Sequence, residues 1–334
     1  MDLEPFSLPL SQPLKTAAGS IETRDGFVVR TRLDGETGVG EATPLPGWTE
    51  PIEACKRTLE RVDLPVKALE NDRLSQTPAA RHGVSLAVLD ARARRAGQPL
   101  YQTLGREEHV GSVPVNATVG DGSIEETVAA VEGAIKEGYP AVKLKVGAQP
   151  LVADLERLEA VRSSCPEVEL RVDANGAWER SIAEKALSKL VALDVSILEQ
   201  PLSSEELAAH TELRGQGVDI ALDEGVIEHG VSAVLAADAA DIIVCKPMAF
   251  GGVDVAREIV FSAREQGIDA LITTTIDAAY ARAAAVHLAA SIPDVRACGL
   301  ATGGLLGSDL RESITPVTDG AVAVPQGKGN IPPR

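Results

Sequence analysis

The chain has 334 residues, a hydrophobic content of 44% and a net charge of −17. That is enough for a sizeable core in two domains, or in one barrel with additions, and no apolar stretch reaches membrane-spanning length. Basic residues form no stripe, which disfavours nucleic-acid binding; the excess of carboxylates with sparse lysine reads as a halophilic surface, kept hydrated by its charge.

In chain order, residues 1–98 read as an α+β domain. Ser20–Leu33 and Gly38–Ala42 have strand character and are joined by the hairpin signal DGETG; helical stretches follow near 50–63 and 78–97. From about residue 112 the pattern changes to short apolar runs alternating with helix-period segments. The runs are Val113–Val119, Ala141–Val146, Glu169–Asp173, Ser196–Glu199, Asp219–Asp223, Asp241–Lys246, Ala270–Thr274 and Arg296–Ala301. Ser123 followed by Glu126 has capping-box spacing, and Gly138 and Gly267 mark helix ends. Eight such units predict a (β/α)8-type parallel barrel over 112–302. An open doubly wound sheet is the rival, but no GxGxxG follows Val119. The tail, 303–334, carries one further strand-like run, AVAVP, and is expected to pack back on the first domain; its end, QGKGNIPPR, reads as irregular.

Polar residues stand at the ends of the barrel runs. Lys143 and Lys145 close AVKLKVG, Asp173 closes LRVD, Glu199 closes SILE, Asp223 closes IALD and Lys246 closes IIVCK. Buried parallel strands emerge together at one end of a barrel, where barrel enzymes keep their active sites. Lys143 and Lys145, two residues apart, share a strand face. One strand-end carboxylate would serve as a helix cap or surface ion-pair partner. Three in successive units, flanked by inward lysines, repel one another unless a cation sits among them. All-oxygen ligands select a hard cation, Mg²⁺, with Mn²⁺ as substitute. The five histidines fall in predicted helices or loops, and no GxSxG is present, which argues against zinc and serine hydrolase chemistry. The four cysteines are widely spaced, without a CxxC pair, and read as buried free thiols. With the acid and proline early in MDLEPFSLPL, unlike a signal peptide, they point to a cytoplasmic protein.

Such a site suits proton abstraction next to a carboxylate. The dianionic enediolate that results needs a divalent ion, and the base needs a depressed pKa, which a neighbouring ammonium can supply. Lys145, beside Lys143, is the expected base; Lys246 serves from the opposite face as an acid or as a fixed charge.

These residues resemble the enolase superfamily in its muconate-lactonizing-enzyme-like subgroup. The resemblance runs over nearly the whole chain and rests on KLK, DAN, EQP, DE and KPMAFGG in that order. It implies a modified TIM barrel with an N-terminal α+β capping domain, Mg²⁺ on Asp173, Glu199 and Asp223, and acid/base lysines at Lys145 and Lys246. It further implies support of the metal region by Asn175 and pairing of Glu224 near Lys246. A small carboxylate substrate is implied too, and homo-oligomers are common in the group.

Within the subgroup the chain is most similar to o-succinylbenzoate synthases, through RVDANGAW, ITTTID, GLATGGLL, LKTAAGSIETRDGF and GEATPLPGW. That likeness implies substrate contacts from Thr273, Thr274 and Trp48. The two threonines equally suit ordinary β-branched strand filling, and Trp48 an anchor for its own loop. ITTTID has threonines and Asp277 where that group more usually has serines and Glu. Dipeptide or N-acylamino acid epimerisation and muconate-type cycloisomerisation are the alternatives; the Asp-x-Asp of many dipeptide epimerases is missing near the eighth run.

Overall fold

The computed structural model describes residues 1–16, 19–312 and 314–332. Ala17 and Ala18 of LKTAAGSIETRDGF, Ser313, and the last two residues of the tail lie outside them.

The chain opens with an antiparallel sheet of β1 (Asp2–Thr16), β2 (Gly19–Leu33) and β3 (Glu36–Ala42), in that spatial order. Asp34 and Gly35 join β2 to β3 with φ of 52° and 91°, the left-handed pair that a two-residue hairpin demands. The sequence pattern does not disclose β1, because Pro5, Pro9 and Pro13 interrupt it. At a sheet edge those missing N–H groups cost no ladder bond, and the register shifts between Pro9 and Leu14.

Four helices follow: α1 (Ile52–Glu60), α2 (Pro65–Glu70), α3 (Pro78–Ala96) and α4 (Leu100–Thr103). The stretch expected as one helix over 50–63 stops at Glu60, and α2 starts on Pro65, a favoured first helical residue. Helix α3 lies directly on β3. A Cβ at Gly40 would stand 2.0 Å from the Gly83 carbonyl oxygen, so only glycine permits that approach.

Residues beyond 112 alternate as expected. They run β4 (Ser112–Pro114), β5 (Asn116–Val119), α5 (Ile124–Lys136), β6 (Ala141–Lys145), α6 (Leu151–Ser164), β7 (Glu169–Asp173), α7 (Arg180–Ala192) and β8 (Val195–Glu199). Then come α8 (Leu207–Leu213), β9 (Asp219–Leu222), α9 (Glu224–His229), α10 (Val231–Ala236), β10 (Ile242–Cys245), α11 (Pro247–Phe250), α12 (Val253–Glu265), β11 (Asp269–Ile272) and α13 (Ala279–Ala290). Strands β5 to β11 form one parallel sheet in sequence order. Ser123 and Glu126 make the reciprocal capping box at the start of α5.

The ring closes without a regular eighth strand, which corrects the expectation for Arg296–Ala301. Single bridges link Cys298 to Val115 and Gly299 to Thr273. The Asn116 N–H donates to the Cys298 carbonyl at 3.0 Å, and the Gly299 N–H donates to the Ile272 carbonyl at 2.9 Å. The segment therefore spans from the first barrel strand to the last. A Cβ at Gly299 would lie 2.8 Å from the Thr273 hydroxyl; that close crossing replaces a ladder.

The run Val113–Val119 also divides. Ser112–Pro114 pairs antiparallel with β13 (Ala321–Ala323), which hairpins with β12 (Val317–Thr318), and only Asn116–Val119 enters the barrel. The AVAVP run thus pairs with β4. Farther along the tail, the Asn330 N–H donates to Asp90 Oδ1 at 2.7 Å and Arg94 donates to the Ile331 carbonyl at 2.8 Å, both on α3.

Three of the five histidines, His82, His210 and His287, are buried. His287 is fully buried against Tyr101, its Nε2 is 2.8 Å from the Asn330 carbonyl, and burial pulls it down to about 4, so it stays neutral. All four cysteines are free and buried. No helix among the described residues is long and apolar enough to cross a membrane.

Candidate active site

Parallel register brings the strand-end residues together. Lys145 pairs with Asp173 across β6 and β7, and Asp173 pairs with Glu199 across β7 and β8. Asp223 and Lys246 come one residue after the ends of β9 and β10. Each strand ends where Gly, Asn or Pro follows, so the side chains surface at the same rim.

Two groups of charges result. In the first, the Lys143 ammonium donates to both Glu199 oxygens at 2.8 and 2.9 Å and lies 2.9 Å from Asp173 Oδ2. Lys145 donates to the same Asp173 oxygen at 2.6 Å and to Asn175 Oδ1 at 2.6 Å. In the second, Lys246 donates to Asp223 Oδ2 at 2.7 Å, and its Nζ stands 3.3 Å from the centre of the Trp48 ring. That is cation–π geometry. Asn175 of the first group donates a hydrogen bond to Oε1 of Glu224, the chain neighbour of Asp223, at 3.3 Å.

The electrostatics follow from burial and contact. Burial works against the charged form of Lys143, but Glu199 and Asp173 outweigh it and raise its pKa. Burial likewise pushes Asp173 up, and the two lysines overcome it, leaving the carboxyl well below its usual range. Glu199 goes the other way. Burial raises it, with Asp173 and Asp223 adding repulsion against the pull of Lys143.

Among the described residues no three His, Cys, Asp or Glu side chains are spaced as a finished ion cage; lysine ammonium groups stand between the carboxylates. The residues nevertheless fit a divalent cation. Asp173, Glu199 and Asp223 are 1%, 3% and 5% exposed, and Asp223 Oδ1 and Glu224 Oε2 are buried without a hydrogen-bond partner. Buried carboxylate oxygens without a donor are costly unless a cation completes them. The donor set is all oxygen, as Mg²⁺ requires.

Lys246 bonds Asp223 and Glu224 bonds Asn175; burial raises the Glu224 pKa, with Asp223 adding repulsion and the nearby Lys246 charge pulling against both. The threonines diverge. Thr273 donates to the Gly299 carbonyl at 2.7 Å and lines a 650 Å³ cavity between β5, α5 and residues 299–305 that takes in Lys143 but no other residue of the charged site. Thr274 lies outside that lining, with its hydroxyl 3.0 Å from the hydroxyl of Thr302. Trp48, carried by the loop after β3, reaches the barrel rim.

Gln200 escaped the sequence reading, although it sits inside the EQP motif. It is fully buried with φ of 38°, and its Oε1 accepts from the N–H groups of Asp223 and Gly225 at 3.0 Å each. It fixes the turn that presents Asp223. Glutamine here leaves no periodicity signal; only the contact reveals it.

Comparison with known proteins identifies the family. Residues 126–330 match the family described as enolase C-terminal domain-like, and residues 2–91 match the MenC N-terminal domain. The chain belongs to the enolase superfamily. It is 30% identical to the L-Ala-D/L-Glu epimerase of Bacillus subtilis, over 86% of this chain and 83% of that protein. It is 28% identical to the o-succinylbenzoate synthase of Desulfotalea psychrophila, over 92% and 94%. A solved dipeptide epimerase from Enterococcus faecalis, complexed with Mg and L-Leu-L-Tyr, superposes with a TM-score of 0.86 at 25% identity, covering 98% of this chain and 97% of the other.

Proposed function

We propose that this chain is an o-succinylbenzoate synthase. It would dehydrate 2-succinyl-6-hydroxy-2,4-cyclohexadiene-1-carboxylate by syn-elimination through an enediolate, a step of menaquinone synthesis. The observation that carries this reading is the unequal setting of the two lysines. Lys145 has 36% of its side chain exposed and bonds groups at the open rim, whereas Lys246 has 11% exposed and is clamped between Asp223 and Trp48. A one-face elimination needs one mobile proton carrier and one fixed cation. The MenC N-terminal match supports the same reading.

Asp173, Glu199 and Asp223 would hold Mg²⁺, which when bound would stabilise negative charge developing on the substrate carboxylate. Lys145 Nζ takes the proton next to that carboxylate, then returns it to the departing hydroxyl, so water leaves and an aromatic ring forms. Lys246 holds the enediolate by its charge. Lys143 keeps Glu199 and Asp173 in place, and Asn175 orients Lys145.

The second reading is a dipeptide or N-acylamino acid epimerase, favoured by the 30% identity to the Bacillus enzyme. Purified protein with Mg²⁺ should convert the cyclohexadiene carboxylate, followed by absorbance, faster than it epimerises L-Ala-L-Glu or N-succinylamino acids, followed by deuterium incorporation. Epimerisation without dehydration would overturn the proposal.

We also place the protein in the cytoplasm and read its −17 charge as an adaptation to salt. The thermal midpoint should rise from dilute buffer to molar KCl as self-repulsion is screened. An unchanged or lower midpoint would count against it.

A further inference from the structure

Arg24 is a large charged side chain on β2, only 2% exposed. Its guanidinium donates to three backbone carbonyls: Thr43 and Pro44, each at 2.9 Å, and Ile276 at 3.2 Å. The first two belong to the loop that carries Trp48. The third belongs to the turn between β11 and α13. One side chain thus ties both walls of the barrel mouth together.

The turn it holds is strained. Ile276 has φ of 60°, a left-handed conformation that a β-branched residue rarely adopts. Such a residue persists only where its surroundings over-determine it. The Ile276 N–H donates to the Thr274 hydroxyl at 3.3 Å, and Thr275 donates to Asp277 Oδ1 at 2.5 Å. Beyond the turn, Glu41 of β3 accepts the N–H groups of Ala278, Tyr280 and Ala281 at 2.8, 3.1 and 2.9 Å. The turn is therefore gripped from the N-terminal sheet on both sides of Asp277.

What the turn positions is the hydroxyl row at the rim. Register sets Ile272 level with Cys245, so Thr273 stands level with Lys246. Thr273 and Thr302 line a cavity that runs from Lys143 past β5 to Ala130, Gly133 and Ala134 of α5, and Thr274 braces Thr302. We propose that Arg24 is a positioning residue: by holding Ile276 in the left-handed conformation it sets where Thr273 and Thr302 meet the substrate, and so determines substrate affinity. The proposal rests on the reading that this barrel mouth binds the reacting carboxylate.

The test uses Arg24→Met and Arg24→Lys. Neither can satisfy three divergent carbonyls; the lysine variant keeps the charge beside Glu41 and Asp277 and guards against failure of the methionine variant to fold. KM for whichever substrate the wild type turns over should rise roughly tenfold or more, with kcat changed less than about threefold, the usual result of small misplacement at a binding wall. Adding Ile276→Asn, which accepts left-handed φ more readily, should restore most of the lost affinity. Hydrogen exchange across 273–281 should quicken in the Arg24 variants and not elsewhere. Unchanged KM, or unchanged exchange at 273–281 in Arg24→Lys, overturns the proposal. A wild type inactive on both substrate classes refutes the reaction reading instead, while the exchange measurement still decides the role of Arg24.

Discussion

Replacing Lys145 with arginine should abolish dehydration, a loss on the order of 10³-fold or more, while Lys246→Arg keeps measurable turnover. Proton transfer by a positioned side chain contributes about 10²–10⁴-fold, and guanidinium does not give up a proton near neutrality. At position 145 that removes the only carrier a one-face elimination uses. Position 246 is different. There the ammonium already sits on Asp223 and against the Trp48 ring, and an arginine preserves charge and stacking. An epimerase, needing a working acid/base on each face, would lose both variants equally. Steady-state rates on the cyclohexadiene carboxylate, alongside circular dichroism to confirm folding, distinguish the cases. Complete and equal loss in both variants, with efficient epimerisation by the wild type, rules out the single-base assignment.

Metal removal should have a comparable effect. After thorough treatment with EDTA the protein should be inactive, and Mg²⁺ should restore it, with Mn²⁺ as a working substitute. The physical reason is the charge balance of the rim. Asp173, Glu199 and Asp223 are almost wholly buried, and in this arrangement lysine ammonium groups alone offset them. Without a divalent ion, the charge developing on the substrate carboxylate would meet three carboxylates at close range, a penalty of several kcal/mol. Asp223→Asn should weaken Mg²⁺ binding by isothermal titration with little loss of fold, because the Asp223 N–H is still held by Gln200. Mg²⁺ saturation at about 100 times its Kd should stabilise the wild type by about 2.7 kcal/mol, readable as a raised thermal midpoint. Full activity in metal-free protein would sink the mechanism.

The charged residues of the site were legible because each belongs to a local pattern. A short Val/Ile/Leu run ending in a carboxylate or lysine before Gly, Asn or Pro is visible in one dimension, and parallel pairing then places all such ends at one rim. Lys143 and Lys145 followed from two-residue alternation alone. What resisted reading was whatever depends on a partner distant in sequence. Gln200, Arg24 and Glu41 look like ordinary polar residues in their strands and loops. Their meaning lies in hydrogen bonds to residues 223, 276, 278, 280 and 281. The pairing of Lys246 with Asp223 and of Glu224 with Asn175 likewise turns on side-chain reach and not on spacing.

The backbone divides the same way. Periodicity determined the seven parallel strands, most of the helices and the hairpin of β2 and β3, since burial on one or both faces imposes a period that the chain must carry. Proline concealed β1, because an edge strand tolerates residues that pattern reading takes as breaks. The closure of the barrel by single bridges at Cys298 and Gly299 was decided only in three dimensions. Arg296–Ala301 has the apolar content of a strand, but its two neighbours lie at opposite ends of the barrel sequence. Whether a ladder forms there depends on how far the other seven strands have curled, a property of the assembled sheet and of no segment within it.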